Sequence, residues 1–237
     1  MLFGFKDNSS IIYVSDYQVF EKPIDLSKSP VHLFTVNDIV GITLVNLSPD
    51  GKYLTFYVSI AGSYPEMGIY DMVNDTIEML DHYNTKGGDI SPVISPDGKW
   101  LAFVSNYSGE NTIYVAPFPG PGPITGVSLP IEEGNVSAPI WAPDMTAIYY
   151  STYQTENELY KVKFQVSDKF SSQPAELMLG LPETILHLGN WYSVTPLQID
   201  PDGLRFIVLQ RVGSGNMEES ESSIQVIFNW EKEIEWE

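Results

Sequence analysis

The chain has no cysteine, which excludes disulfide staples and thiol catalysis. Its fold must rest on a packed core, and 237 residues are enough to bury one. Positive charge is scarce: 12 basic residues face 31 acidic ones, for a formal net charge of −19. A field of that sign repels phosphate backbones and anionic bilayers. It argues against binding to nucleic acid or anionic membranes and favours a basic protein or peptide partner, or cations. No stretch approaches the ~20 apolar residues of a membrane helix. The opening Met1-Leu-Phe-Gly-Phe-Lys-Asp-Asn8 lacks a basic segment followed by an apolar run, so no signal peptide is visible.

Catalytic signatures are absent too. The chain contains no Gly-x-Ser-x-Gly elbow, no phosphate-binding Gly-x-x-x-x-Gly-Lys-Ser, no His-Glu-x-x-His and no Asp-x-Asp-x-Asp-Gly calcium loop. His32, His82 and His187 share no spacing to a serine or carboxylate, and each reads as structural. The expectation is a protein that is not an enzyme and uses no cofactor or metal.

What the chain does have is a repeat. One phrase recurs as Leu47-Ser-Pro-Asp-Gly-Lys-Tyr-Leu-Thr-Phe56, Ile94-Ser-Pro-Asp-Gly-Lys-Trp-Leu-Ala-Phe103, Trp141-Ala-Pro-Asp-Met-Thr-Ala-Ile-Tyr-Tyr150 and Ile199-Asp-Pro-Asp-Gly-Leu-Arg-Phe-Ile-Val208. Its aspartates, Asp50, Asp97, Asp144 and Asp202, lie 47, 47 and 58 residues apart. Each copy sets an apolar strand, a Pro-Asp-Gly turn and an alternating strand in a row, which is the pattern of a β-hairpin. The aspartates are thus expected as turn formers, and Trp100, Trp141 and Tyr53 as core between sheets. Met145 replaces the turn glycine in the third copy, so a looser turn or one of another type is expected there. An extra residue before the fourth turn suggests a bulge.

A third strand follows each hairpin, at Met67–Tyr70, Thr112–Val115, Glu158–Lys161 and Ile224–Phe228. In most copies a more polar fourth stretch follows, such as Thr76–Leu80 or Glu176–Leu179. Four strands per period of this length make the blade of a β-propeller. A degenerate fifth copy lies at 5–14, with Asp7-Asn8 as its turn and Ile11–Val14 as its strand. The expected architecture is all-β, a single propeller domain over 1–237 of four-stranded antiparallel blades at about 1–38, 39–85, 86–130, 131–182 and 183–237. Five copies fit either a closed five-bladed ring or a truncated six-bladed one, with truncation or a diverged N-terminus preferred. An open ring would leave sheet edges for a partner chain to complete. Pro117–Pro123 and Gly213–Ser223 read as loops.

Ser95-Pro-Asp-Gly-Lys-Trp-Leu-Ala-Phe-Val-Ser-Asn106 resembles the WD40-like repeat of TolB-type β-propellers. Tyr114-Val-Ala-Pro-Phe-Pro-Gly-Pro-Gly122, Pro139–Asp144, Ile199–Phe206 and Ile224-Gln-Val-Ile-Phe-Asn-Trp230 resemble the C-terminal sensor propeller of bacterial serine/threonine kinases. The likeness covers 85–237 well and 1–84 loosely, and every kinase motif is missing. It implies a sensor-like or scaffold module in an extracytoplasmic setting, whereas the lack of a signal peptide points to cytoplasm.

Propeller geometry would place a ligand site at the channel mouth, lined by the segment before each innermost strand. Those segments, Asn37–Ile39, Gly88–Ile90, Glu132–Asn135 and Leu188–Tyr192, supply Asp38, Asp89, Glu132 and Glu133 with Trp191 and Tyr192. Convergent carboxylates flanked by aromatics suit a cation or a basic peptide. The expected function is a binding or scaffold module for a protein, peptide or small ligand. The alternatives are the propeller part of a hydrolase or peptidase system, or a remnant of a larger kinase-associated propeller.

Overall fold

The computed structural model describes residues 2–6, 9–83, 87–120, 122–127, 136, 138–152, 157–167, 176–189, 198–199, 205–212 and 221–228. Among these the regular structure is β-strand, apart from one 3₁₀ turn at Asp81–Tyr83. The first sheet holds β1 (Leu2–Lys6), β2 (Ser10–Ser15), β3 (Gln18–Pro23) and β4 (Val31–Thr35) in sequence order. The second holds β5 (Gly41–Leu47), β6 (Tyr53–Ser59), β7 (Glu66–Asp71) and β8 (Thr76–Met79). In the third, β9 (Asp89–Ile94), β10 (Trp100–Ser105), β11 (Thr112–Pro117) and β12 (Thr125–Gly126) follow one another likewise. The fourth comprises β13 (Ile140–Trp141), β14 (Ala147–Ser151), β15 (Asn157–Ser167), β16 (Glu176–Leu179) and β17 (Glu183–Gly189). The fifth shows β18 (Gln198–Ile199), β19 (Arg205–Val212) and β20 (Glu221–Phe228). All the described pairings between these strands are antiparallel.

The chain divides into two compact units, Met1–Gly109 with Ile113–Ile124, and Glu110–Thr112 with Thr125–Glu237. In the first unit the second sheet is buried on both faces. Along β6, Leu54, Phe56 and Val58 join Ile12, Val19, Phe34 and Tyr70 in one apolar cluster, while Tyr53 and Tyr57 pack against a second cluster built on Leu101, Phe103 and Tyr114. This is strand period two with apolar residues in both phases, as a sheet stacked between two others requires. Thr55 falls in the second phase. It is fully buried, and its hydroxyl donates to the Pro92 carbonyl at 2.6 Å while the Ile94 N–H donates to Asn46 Oδ1 at 3.2 Å. Two polar ties thus dock β9 onto the second sheet, and burial of a hydroxyl here is tolerated because it is paired.

The repeated turns form as their residues dictate. In the first full copy Ser48 N–H donates to the Tyr53 carbonyl at 2.8 Å and Gly51 N–H to the Ser48 carbonyl at 2.8 Å. Asp50 Oδ1 accepts from the Ser48 hydroxyl at 2.6 Å and from Lys52 N–H at 3.0 Å. The second copy repeats this pattern, with Asp97 Oδ1 accepting from Ser95 at 2.6 Å and Lys99 at 3.1 Å. The third corrects the expectation of a looser turn. Met145 adopts φ 64°, beside 70° for Gly51 and 71° for Gly98, and its N–H still donates to the Ala142 carbonyl at 3.0 Å. Thr146 donates through both its N–H and its hydroxyl to Asp144 Oδ1. Side-chain bonds from the neighbouring residue hold the turn, so the left-handed angle is accepted at a strain of about 1–2 kcal/mol. Asp202, Asp7, Asn8 and the bulge sought before the fourth turn lie outside the described residues.

Trp100 and Trp141 are buried, and Tyr53 is half-buried. In the second unit Trp141 meets Phe164 edge-on at 4.9 Å and Tyr150 stacks on Tyr160 at 5.2 Å. β15 is longer than a single repeat strand needs. Its second half pairs with β16 and its first half with β17, so Gly180–Pro182 bulges out opposite Val162 and Lys163. The fourth sheet therefore runs to Gly189, past residue 182. Residues 221–223, read as loop, belong to β20.

Candidate functional site

Strand direction sorts the first unit into two ends. One carries the β5–β6 and β9–β10 turns with Asp50 and Asp97, together with the β3–β4 and β7–β8 connections. The other carries the β2–β3, β6–β7 and β10–β11 connections and the chain entering β5 and β9. Asp38 and Asp89 both lie at this second end, in quite different settings. Asp38 is exposed, with φ 60°. Asp89 opens β9 and is only 5% exposed.

The burial of Asp89 follows from the neighbouring loop. Gly87 and Gly88 precede it, and their lack of side chains is needed for the fit. A Cβ on Gly87 would stand 2.4 Å from Asn106 Oδ1, and one on Gly88 would stand 3.1 Å from Pro65 Cδ. Asn106 Oδ1 accepts the Gly88 N–H at 2.7 Å, and the Pro65 carbonyl accepts the Asp89 N–H at 3.1 Å. The β6–β7 connection is thereby laid across the start of β9. Beneath it lies a pocket of about 210 Å³ whose walls include Tyr64, Glu66, Met67, Asp81 and Asp89. Three carboxylates and a tyrosine ring on one small concavity can receive a cationic or hydrogen-bond-donating group.

Asp16, on the β2–β3 turn, lies at this end as well, and Glu110 is on the β10–β11 connection. The lysines whose side chains are described in the first unit, Lys22, Lys28, Lys52 and Lys99, lie at or next to the opposite end. There they stand among Asp25, Asp50, Asp71, Asp75 and Asp97. Several of those aspartates have carboxyls held below their ordinary range by turn hydrogen bonds, Asp50 through the Ser48 hydroxyl and Asp71 through the Asn74 N–H. They are committed to turns. Glu66, Asp81 and Asp89 belong to no repeated turn, which sets them apart as candidates.

Of the residues named from sequence, Asp38 and Asp89 are brought to one end of the first unit. Glu132, Glu133, Trp191 and Tyr192 lie outside the described residues. Glu66, Asp81 and Tyr64 were not singled out, because only the loop over β9 makes them neighbours of Asp89. Among the described residues no group of three or more histidines, aspartates or glutamates is arranged to hold a metal ion, and no helix is long and apolar enough to cross a membrane.

No protein-family model matches the chain. Over 97 residues, 41% of this chain and 21% of the relative, it is 27% identical to the Tol-Pal system protein TolB of Hydrogenovibrio crunogenus. The crystal structure of TolB from Acinetobacter baumannii matches with a TM-score of 0.62 at 17% identity, covering 88% of this chain and 46% of that one. Oligogalacturonate lyase from Vibrio parahaemolyticus matches with a TM-score of 0.63 at 15% identity, covering 95% and 61%. The chain thus spans less than half the length of the Acinetobacter baumannii TolB. Sheet order, repeated turn and these likenesses together make the chain an all-β, WD40-like propeller of the TolB type.

Proposed function

We propose that this chain is a non-catalytic binding module for a protein or peptide, and that the end carrying Asp38 and Asp89 is the one that binds. The observation that carries this reading is the gathering of Asp16, Asp38, Glu66, Asp81 and Asp89 at the connection end of the first unit. Glu66, Asp81 and Asp89 line one pocket of about 210 Å³ there, which a partner's side chain can enter. At the turn end Asp50 and Asp97 are spent on the repeated hairpins and Asp71 on the β7–β8 turn. A basic partner would be drawn to the connection end by the field of a chain carrying −19 and oriented by it on approach. The TolB likeness supports a scaffold role. The likeness to a lyase supports only a shared fold, since one propeller can host either kind of site.

The test places a photo-crosslinking residue at Asp38 and, separately, at Asp50 on the opposite end. Capture of a defined protein from position 38 alone, followed by micromolar or tighter binding of that purified protein to this chain, is the expected result. Capture from position 50 alone would move the site to the other end. Turnover of oligogalacturonate, ester or peptide substrates by the purified chain would overturn the non-catalytic reading.

A further inference from the structure

A tyrosine lies on the equivalent connection of three successive sheets. Tyr17 lies on the connection between β2 and β3, Tyr64 on that between β6 and β7, and Tyr107 on that between β10 and β11. They are 50%, 59% and 62% exposed. Single exposed apolar residues need no explanation, but a ring repeated at the equivalent connection of three sheets is not scattered. Tyr17 is also held against its own preference. Asp16 and Tyr17 have φ 49° and 63°, the paired left-handed angles of a two-residue hairpin turn whose second position glycine fills best. An aromatic residue there costs about 1–2 kcal/mol of strain.

These rings stand at the end where Asp16, Asp38, Glu66, Asp81 and Asp89 gather. Planar guanidinium groups stack on tyrosine faces and pair with carboxylates two bonds at a time, which an ammonium cannot do. We infer that this end docks an arginine-rich segment of a partner protein across Tyr17, Tyr64 and Tyr107, with one arginine side chain entering the pocket beside Tyr64, Glu66 and Asp81. The inference rests on the binding reading above and adds the chemistry of the partner and the residues that read it.

The probe is a fluorescently labelled peptide of three arginines spaced by glycines, with lysine and glutamate versions beside it, titrated by anisotropy. Attraction by net charge alone is separated by variants that leave charge unchanged. Tyr64→Ser combined with Tyr107→Ser is expected to weaken the arginine peptide about tenfold and the lysine peptide less. Tyr64→Phe, which keeps the ring, retains binding, and Val73→Ser at the opposite end changes nothing. Tyr17→Gly is a second check: it relieves the turn, so the protein should melt higher while binding the peptide more weakly. Unchanged affinity in the tyrosine variants, or equal losses for arginine and lysine peptides, would overturn the inference. If a protein captured from position 38 binds those variants as tightly as the parent, the binding reading stands and this one falls.

Discussion

Phe56 lies flat against Gly68 across the β6–β7 ladder, so close that a methyl group on Gly68 would stand 2.4 Å from the ring's Cζ and 2.6 Å from Cε2. The pair are register partners, and Phe56 is fully buried between the first and second sheets. An aromatic ring opposite glycine uses the space that a second side chain would have taken.

Gly68→Ala should therefore cost about 3 kcal/mol, the upper range for overpacking a core. Denaturant unfolding reads this directly. Phe56→Leu introduced with it should recover part of the loss, because the two positions share one volume. Additive losses in the double variant would mean that the ring is not what the methyl meets.

Met145 makes the opposite prediction. Replacing it by glycine removes the left-handed strain and should raise stability by about 1 kcal/mol. Gly51→Ala and Gly98→Ala should each lower it by a similar amount, although a Cβ at either site meets no atom within 4 Å. Thermal unfolding of the three variants tests whether backbone angle alone decides the sign.

Acidification should loosen the repeated turns. The Ser48 hydroxyl and then the Lys52 N–H hold the Asp50 carboxyl below its ordinary 3.8, and the Thr146 hydroxyl and N–H do the same for Asp144. A folded-state pKa below the unfolded one means that the unfolded chain takes up the proton first. The stabilisation is present above about pH 4 and is lost as the pH falls through the folded-state values. Asp50→Asn with Asp144→Asn keeps the acceptor oxygens but removes the titration. The stability difference between parent and variant should thus shrink between pH 5 and 2 in urea titrations. A difference that stays constant over that range would remove these two carboxyls as its source.

Much of the architecture was legible because its cues are local. Ser-Pro-Asp-Gly specifies a turn within four residues, and Tyr53–Tyr57 or Trp100–Val104 specifies a strand within five. The turn at Met145 was misread for an instructive reason. The side chain that stabilises it belongs to Thr146, and a tally of glycines does not register a hydroxyl one residue later. Burial of Asp89 was not legible, because nothing in Gly88-Asp89-Ile90 announces that a loop two dozen residues earlier will cover it. Asp38 was read beside Asp89 from the repeat alignment, but the gathering of Asp16, Glu66 and Asp81 with them was hidden. Residues so far apart meet at one end only once alternating strand directions are known.

The two ends of the first unit differ in how much length they tolerate. The Pro-Asp-Gly hairpins reuse one turn of fixed size, while at the opposite end the link is two residues between β2 and β3 and six between β6 and β7, at Ile60–Pro65. Ile60 packs against an apolar cluster and the Pro65 carbonyl accepts the Asp89 N–H, but insertions at the exposed Ala61–Ser63 between them leave the ladders and both clusters untouched. That makes Ala61–Ser63 a natural graft position. A peptide spliced into it would be displayed from a rigid three-sheet base, and descendants of this chain can change what they recognise by editing a loop while keeping the same core.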